Sequence, residues 1–195
     1  MRRQKGFTLL EVIAVVAIVG ILALIAVPSF ATYRRHASLR AEADQLRSIF
    51  RAARSRAIAR NANAGVRFAQ RGSQWTFALY DDGDGDGIRS DDIAAGIDRC
   101  YAAPTVLMPE FHIATIALLP VTIRDPDGDL LPPTASAVQF GRAQMCSFSP
   151  TGAGTPGTAY ITNTDGEIFA IRVLGGSGRV RVLRYNAMKK KWENA

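Results

Sequence analysis

Residues 6–11 read Gly-Phe-Thr-Leu-Leu-Glu and open an apolar run, FTLLEVIAVVAIVGILALIAVPSF, that extends from residue 7 to residue 30. This run of 24 residues contains one formal charge, Glu11. A helix of that length rises about 36 Å at roughly 1.5 Å per residue, which is enough to cross a bilayer. The sequence therefore predicts a transmembrane helix over residues 7–30.

The residues before this run are basic, with Arg2, Arg3 and Lys5 among the first five. Positive charge beside a membrane segment favours the cytoplasmic side. A secretory signal that is removed has a shorter apolar region, followed by a cleavage site of small residues. Here the apolar run is longer and continues into Tyr33. We therefore expect a retained anchor with a cytoplasmic N-terminus.

The segment from Gly6 to Glu11 closely resembles the prepilin signal of type IV pilins and type II secretion pseudopilins. The resemblance implies that residues 1–6 are a leader, that a prepilin peptidase cleaves after Gly6, and that Phe7 is then N-methylated. It also implies a single-pass protein of the cell inner membrane that assembles with other pilin or pseudopilin subunits into a filament.

Glu11 falls where these families carry an acidic residue that pairs with the new amino group of a neighbouring subunit. A carboxylate inside a membrane helix is costly, and burial of two opposite charges is compensated only where they meet. The alternative interpretation is a carboxylate near the helix end that snorkels or is protonated.

Residues 31–63 are expected to continue the helix in amphipathic form, because apolar residues recur at steps of three and four. That apolar face is predicted to pack on a sheet, and it comprises Leu39, Ala43, Leu46, Phe50, Ala53 and Ala57. A basic stripe runs beside it, formed by Arg40, Arg47, Arg51 and Arg54. The stripe is interpreted either as a solvated face or as a contact with subunits, lipid headgroups or DNA.

Residues 64–195 predict a β-rich globular domain, because short β-prone runs alternate with glycine, proline, aspartate and asparagine. The predicted fold class is therefore α+β, with a long N-terminal membrane-spanning helix packed on a mostly antiparallel β domain. The pilin resemblance implies that this architecture is pilin-like and that the β domain lies on the periplasmic side. The expected strands are 66–70, 75–80, 137–141, 145–149, 159–162, 168–174 and 179–185, with a strand or pair within 111–124.

Two further stretches resemble the GspH/FimT group of minor pseudopilins. One begins Trp75-Thr-Phe-Ala-Leu-Tyr and runs into an Asp/Gly segment, and the other combines Phe148-Ser-Pro-Thr-Gly with the later Gly178-Arg179. The resemblance leaves roughly residues 99–137 unmatched. It implies a structural and assembly subunit of a type II secretion system or a type IV pilus.

Asp82, Asp84 and Asp86 alternate with glycine, as in the opening of a Ca²⁺ loop. However, Ile93 occupies the position where such a loop has its bidentate glutamate. An acidic turn between two strands is therefore the preferred interpretation, with weak Ca²⁺ binding as the alternative. A second acidic turn is expected at Asp125, Asp127 and Asp129, and no other cofactor is predicted.

Cys100 and Cys146 are the only cysteines, and their spacing is not that of a metal or redox motif. A disulfide between them and two free thiols are both compatible with the sequence. The histidines His36 and His112 are accompanied by no nucleophile motif or metal cluster. We therefore do not expect an enzyme.

The C-terminal region is basic, within a chain of formal net charge +7. In the segment Gly178-Arg-Val-Arg, alternation places Val180 and Val182 on one face of a strand and Arg179 and Arg181 on the other. This GRxR form resembles the sequence by which FimT-type pilins of natural competence are thought to hold DNA. A nonspecific phosphate contact and a solvent-facing strand are the two interpretations.

Overall fold

The long helix α1 (Leu9–Arg60) leads the chain in the computed structural model, which describes residues 9–72, 74–107 and 114–195. Residues 1–37 and 38–195 form two separate compact units. In the described part of the chain, no helix combines the length and the hydropathy needed to cross a membrane. The predicted span 7–30 includes Phe7, Thr8 and the side chains of 25–29, which lie outside the description.

The second unit contains two antiparallel sheets, so the α+β class predicted from the sequence is confirmed. The first sheet has the order β3-β2-β1-β8. The second has the order β12-β11-β10-β9-β4, with β7 also paired to β9, and β5 and β6 form a separate hairpin. The strands are β1 (Ala64–Arg71), β2 (Gln74–Asp81), β3 (Arg99–Val106), β4 (Ala114–Thr115), β5 (Ile123–Arg124), β6 (Leu130–Leu131), β7 (Val138–Gln139), β8 (Met145–Phe148), β9 (Gly157–Asn163), β10 (Ile168–Leu174), β11 (Arg179–Asn186) and β12 (Lys191–Asn194).

The predicted apolar face of α1 is confirmed, because all six of its residues have 0% exposure. They pack in one core with the inner faces of both sheets. Phe50 lies at its centre, with ring centroids 5.7 Å from Phe68 and 5.3 Å from Phe140. A helix stripe with a period of 3.6 residues thus joins two sheets whose inward residues alternate.

A smaller second core lies on the opposite face of the β9–β11 region, where Tyr160, Ile168 and Ala170 are buried. It is covered by residues of the 119–131 segment, namely Leu119, Ile123 and Leu131. Trp192 of β12 packs against the same cluster and donates a hydrogen bond from Nε1 to the Arg124 carbonyl at 2.8 Å. The β5–β6 hairpin therefore covers the outer face of the second sheet.

Some elements were not predicted from the sequence. They are the short helix α2 (Ser90–Ala95) and the strands β3, β6 and β12. The expected strand or pair within 111–124 consists of β4 and β5, while 111–113, including His112, lie outside the described residues. The glycine-rich stretch 152–157 connects β8 of the first sheet to β9 of the second and leads into a strand, whereas a dinucleotide-binding turn leads into a helix.

Candidate functional site

The first candidate site is the N-terminal motif, of which Gly6 and Phe7 lie outside the described residues. Glu11 is the acidic residue in the first turn of α1, and its side chain is exposed. A carboxylate there is favourably placed with respect to the helix dipole, whose N-terminal end is positive.

The described start of α1 exposes large apolar side chains in every direction around the helix axis. The set consists of Leu9, Leu10, Val12, Ile13, Val15, Val16, Ile18, Val19, Ile21, Leu22 and Leu24, with exposed fractions from 49% to 81%. A helix that is apolar all round is normally covered by a core, a membrane or other subunits. This segment therefore has the chemistry of an assembly or anchoring surface.

The second candidate site is a basic groove of about 270 Å³ within the globular unit. Arg51 and Arg54 of α1 line one side, and residues Gly178–Arg181 at the start of β11 line the other. Val182 is buried and Val180 packs against the main core, whereas Arg179 and Arg181 are exposed. The predicted alternation along this strand is therefore present.

The four arginines of the basic stripe predicted on α1 differ in their contacts. Arg51 and Arg54 line the groove. Arg47 instead forms an ion pair with Asp44, with Nη2 2.9 Å from Oδ1, and Arg40 is exposed without lining the groove. The solvated-face interpretation thus fits part of the stripe, and the structure brings the other part to the strand arginines.

The acidic loop after β2 brings Asp82, Asp84 and Asp86 together, with one carboxylate oxygen from each lying within 4.8 Å of the others. The Asp82 carboxylate accepts hydrogen bonds from Asn63 Nδ2 and from the backbone N–H groups of Asp84, Gly85 and Gly87. The arrangement suits a tight acidic turn, and its clustered oxygens also have the chemistry that Ca²⁺ requires. Calcium calorimetry on the full chain separates the two interpretations.

The pKa of Asp82 reflects two opposing influences. Partial burial raises the pKa, but the hydrogen bonds from Asn63 and the loop backbone lower it by more, so the pKa lies below its ordinary value of 3.8. Asp98, which is 2% exposed, accepts hydrogen bonds from the N–H groups of Gly83 and Arg89. Carboxylate oxygens therefore accept backbone hydrogen bonds at both ends of the loop.

The second acidic turn expected from the sequence is confirmed at the tip of the β5–β6 hairpin. Asp125 Oδ1 accepts hydrogen bonds from the N–H groups of Asp127 and Asp129, both at 2.9 Å. Asp127 also forms an ion pair with Arg172 of β10, at 2.6 Å. This turn therefore attaches the hairpin to the second sheet.

The two cysteines are free thiols, so the disulfide alternative is not formed. Cys100 lies on β3 and Cys146 on β8, the two edge strands of the four-stranded sheet. Three strand spacings of about 4.8 Å separate them by roughly 14 Å. A disulfide needs Cα atoms within about 7 Å, which explains why they do not pair.

Sequence reasoning missed a cluster that joins the end of α1 to the first sheet. Arg56 donates two hydrogen bonds to the Asp81 carboxylate, both at 2.6 Å. Its guanidinium also lies 3.7 Å from the centroid of the Tyr101 ring, and Arg60 Nη1 is 3.4 Å from Asp81. These residues had no sequence signal because they meet only after β2 and β3 pair.

Comparison with known protein families identifies one match in this chain. Residues 1–27 match the prokaryotic N-terminal methylation motif, which is the prepilin-type motif. No curated protein and no solved structure matches the chain. The motif supports a type IV pilin-like or pseudopilin subunit, and it implies processing by a prepilin peptidase and assembly with other pilin subunits.

Proposed function

We propose that the chain is a minor pseudopilin of the GspH/FimT type, a structural and assembly subunit of a type II secretion system or a type IV pilus. The observation that carries this proposal is the methylation motif over residues 1–27, within which the described start of α1 has exposed apolar side chains on all sides. An exposed surface of this kind requires an apolar partner. No group in the proposed role performs catalysis.

In this proposal, residues 1–6 are removed after Gly6, Phe7 is N-methylated, and residues 7–30 anchor the protein in the inner membrane. The N-terminus faces the cytoplasm and the globular unit the periplasm. Glu11 pairs with the N-terminal amino group of a neighbouring subunit, which compensates a carboxylate in apolar surroundings.

The role of Glu11 is tested by expressing Glu11→Ala with the other filament subunits. We expect membrane insertion to be retained and recovery in the sheared filament fraction to fall strongly, because the amino group of the neighbour loses its partner. Glu11→Asp, which keeps the charge, is the matched control and retains more incorporation. Incorporation of Glu11→Ala at the level of the unmodified chain would contradict the proposal.

A second candidate function is DNA capture during uptake, and the basic groove is the observation that favours it. Arg179 and Arg181 are exposed at the start of β11, and among the described residues no ion pair involves either of them. Guanidinium groups bind phosphate through paired N–H donors, independently of base sequence.

Fluorescence anisotropy with labelled DNA tests this role on the full chain in detergent over a salt series. We expect salt-sensitive binding that Arg179→Ala/Arg181→Ala removes. Arg71→Ala/Arg142→Ala is the control, because it removes two exposed arginines that do not line the groove. An absence of binding by the unmodified chain leaves the structural role as the better account.

A further inference from the structure

Three segments of the globular unit meet at one junction beside the basic groove. Arg54 of α1 donates a hydrogen bond from Nε to the Gly152 carbonyl at 2.8 Å. Gly178, which is buried with φ +57°, has no room for a side chain, because a Cβ there would overlap the same carbonyl oxygen. Arg54 therefore contacts the loop between β8 and β9 at the point where that loop touches the β10–β11 turn.

This junction fixes where β11 begins. Gly178 donates a backbone hydrogen bond to the Leu174 carbonyl at 2.7 Å, and Leu174 is the register partner of Arg179. A positive φ with the close approach to Gly152 suits glycine at position 178. Strand β11 thus begins at a defined position beside the helix, and the arginines that follow lie on a regular strand.

The groove beside the junction is lined by four arginines and by no acidic residue. Elsewhere on the described surface, Arg47, Arg56, Arg89 and Arg172 each have an aspartate partner. None of the ion pairs between described residues involves Arg51, Arg179 or Arg181. Like charges that are gathered without a counter-ion favour the binding of an anion.

The strand side of the groove is also an open sheet edge. β12 pairs with β11 only over residues 183–186, and the Ala195 N–H donates to the Val182 carbonyl on that side. Because backbone direction alternates along a strand, the N–H and carbonyl of Val180 point to the same side as those of Val182. A backbone donor between two arginines suits a phosphate oxygen.

We propose that Arg51 and Arg54 form the helix side of a site for the phosphate backbone of a nucleic acid. Arg51 is the direct ligand, and Arg54 is a positioning residue that holds the β10–β11 turn through Gly152. This inference rests on the DNA-binding role proposed above as the second candidate function, and it adds the helix residues to that site.

The arrangement of charge favours a linear polyanion over a lipid surface. Arg51 and Arg54 are three residues apart on a helix, a rise of about 4.5 Å. Arg179 and Arg181 are two residues apart on a strand, a spacing of about 6.7 Å. The groove thus has arginine residues on the helix and along the strand edge, and a chain of phosphates that follows the groove would meet both.

The experiment compares Arg51→Ala with Arg47→Ala in the full chain, using anisotropy of labelled DNA over a salt series. Both variants lose one arginine from the same helix, but Arg47 is paired with Asp44 and does not line the groove. We expect Arg51→Ala to weaken binding roughly tenfold and Arg47→Ala to leave it nearly unchanged. The slope of log affinity against log salt should become shallower by about 0.9 for Arg51→Ala alone.

Arg54→Lys tests the positioning role, because lysine keeps the charge and lacks the Nε donor to Gly152. We expect weaker binding with an unchanged salt slope, whereas Arg51→Lys retains most of the affinity. Thermal unfolding of each variant is measured to check that the fold is retained. An Arg54→Lys variant that binds DNA with the same affinity as the unmodified chain would overturn the positioning role.

Other outcomes separate this inference from the function on which it rests. If Arg179→Ala/Arg181→Ala abolishes binding while Arg51→Ala binds like Arg47→Ala, the helix side of the site is wrong and DNA capture stands. If the unmodified chain binds no DNA, both the proposed helix side of the site and the DNA-capture function are wrong. Binding to phosphatidylserine vesicles that depends on Arg51, without DNA binding, would identify a lipid headgroup as the ligand and overturn the proposal.

Discussion

Cys100 and Cys146 show how the position of a single residue determines its chemistry. Cys146 is fully buried, its Sγ lies 3.7 Å from the Thr155 carbonyl oxygen, and burial raises the pKa of its thiol well above the ordinary value. Cys100 is exposed on an edge strand. Since the thiolate is the reactive form, burial lowers the reactivity of Cys146 both by blocking access and by keeping its thiol protonated.

We expect a maleimide reagent at neutral pH to label Cys100 rapidly and Cys146 only after unfolding. The reason is that the reagent cannot reach Cys146 and its thiol stays protonated. Mass spectrometry of the labelled chain with and without urea measures both rates, and Cys100→Ser and Cys146→Ser assign them. Equal labelling of both residues in the folded chain would contradict this prediction.

The loop between β2 and α2 shows how one element depends on one side chain. The sequence predicted its acidic composition, since the spacing of aspartate and glycine is visible directly. It did not indicate that Asp82 accepts four hydrogen bonds or that Asp98 closes the other end, because those contacts need folded backbone groups. Gly83 packs so closely against the Ile97 carbonyl that a Cβ would overlap it.

Asp82 should make the free energy of unfolding depend on pH. Because its pKa is lower in the folded chain than in the unfolded one, it stabilises the fold above the unfolded pKa. This contribution is lost as the pH falls through the folded pKa. We therefore expect Asp82→Asn to unfold at lower urea than the unmodified chain at pH 7, and this difference to shrink below about pH 4.

Urea unfolding at a series of pH values measures this effect. Asp91→Asn is the control, because it removes the same charge from an exposed position on α2. A difference between Asp82→Asn and the unmodified chain that stays constant from pH 7 to pH 3 would show that the Asp82 hydrogen bonds do not depend on its charge.

At the scale of the whole molecule, the globular unit has two cores on opposite faces of the second sheet. The main core unites α1 with both sheets, and the second lies under the β5–β6 hairpin. The hairpin is attached to that sheet by the Asp127–Arg172 ion pair and by the hydrogen bond from Trp192 to Arg124. The covering segment lies in the part of the chain that the GspH/FimT resemblance left unmatched.

Trp192→Phe should loosen the hairpin without disturbing the main core. Phenylalanine keeps an aromatic ring near Tyr185 but loses the N–H donor to Arg124, which costs about 0.5–1.5 kcal/mol. We expect faster amide hydrogen exchange in residues 123–131 and unchanged exchange in β10. Tyr185→Phe, at the same cluster, is the control, and equal exchange in the two variants would contradict the prediction.

The sequence predicted the parts of the molecule that depend on local pattern. The buried face of α1 follows from helical periodicity, and β10 and β11 follow from alternating apolar residues. It missed β3, whose Ala-Ala-Pro stretch has weak strand preference, and β12, which follows two lysines, begins with a third and resembles a polar tail. The sequence predicted the groove only in part. Both sets of arginines were recognised, but the contact between the helix and the start of β11 depends on residues such as Arg54 and Gly152, which lie 98 residues apart.

That separation of 98 residues also sets a delay during translation, between the synthesis of Arg54 and that of Gly152. A ribosome adds roughly 5–20 residues per second, so the apolar face of α1 emerges about 5–20 s before the loop that Arg54 contacts has been made. Phe50 and its neighbours on that face lack their later sheet partners throughout this interval. During synthesis this face therefore stays incompletely covered until β9–β11 have been translated.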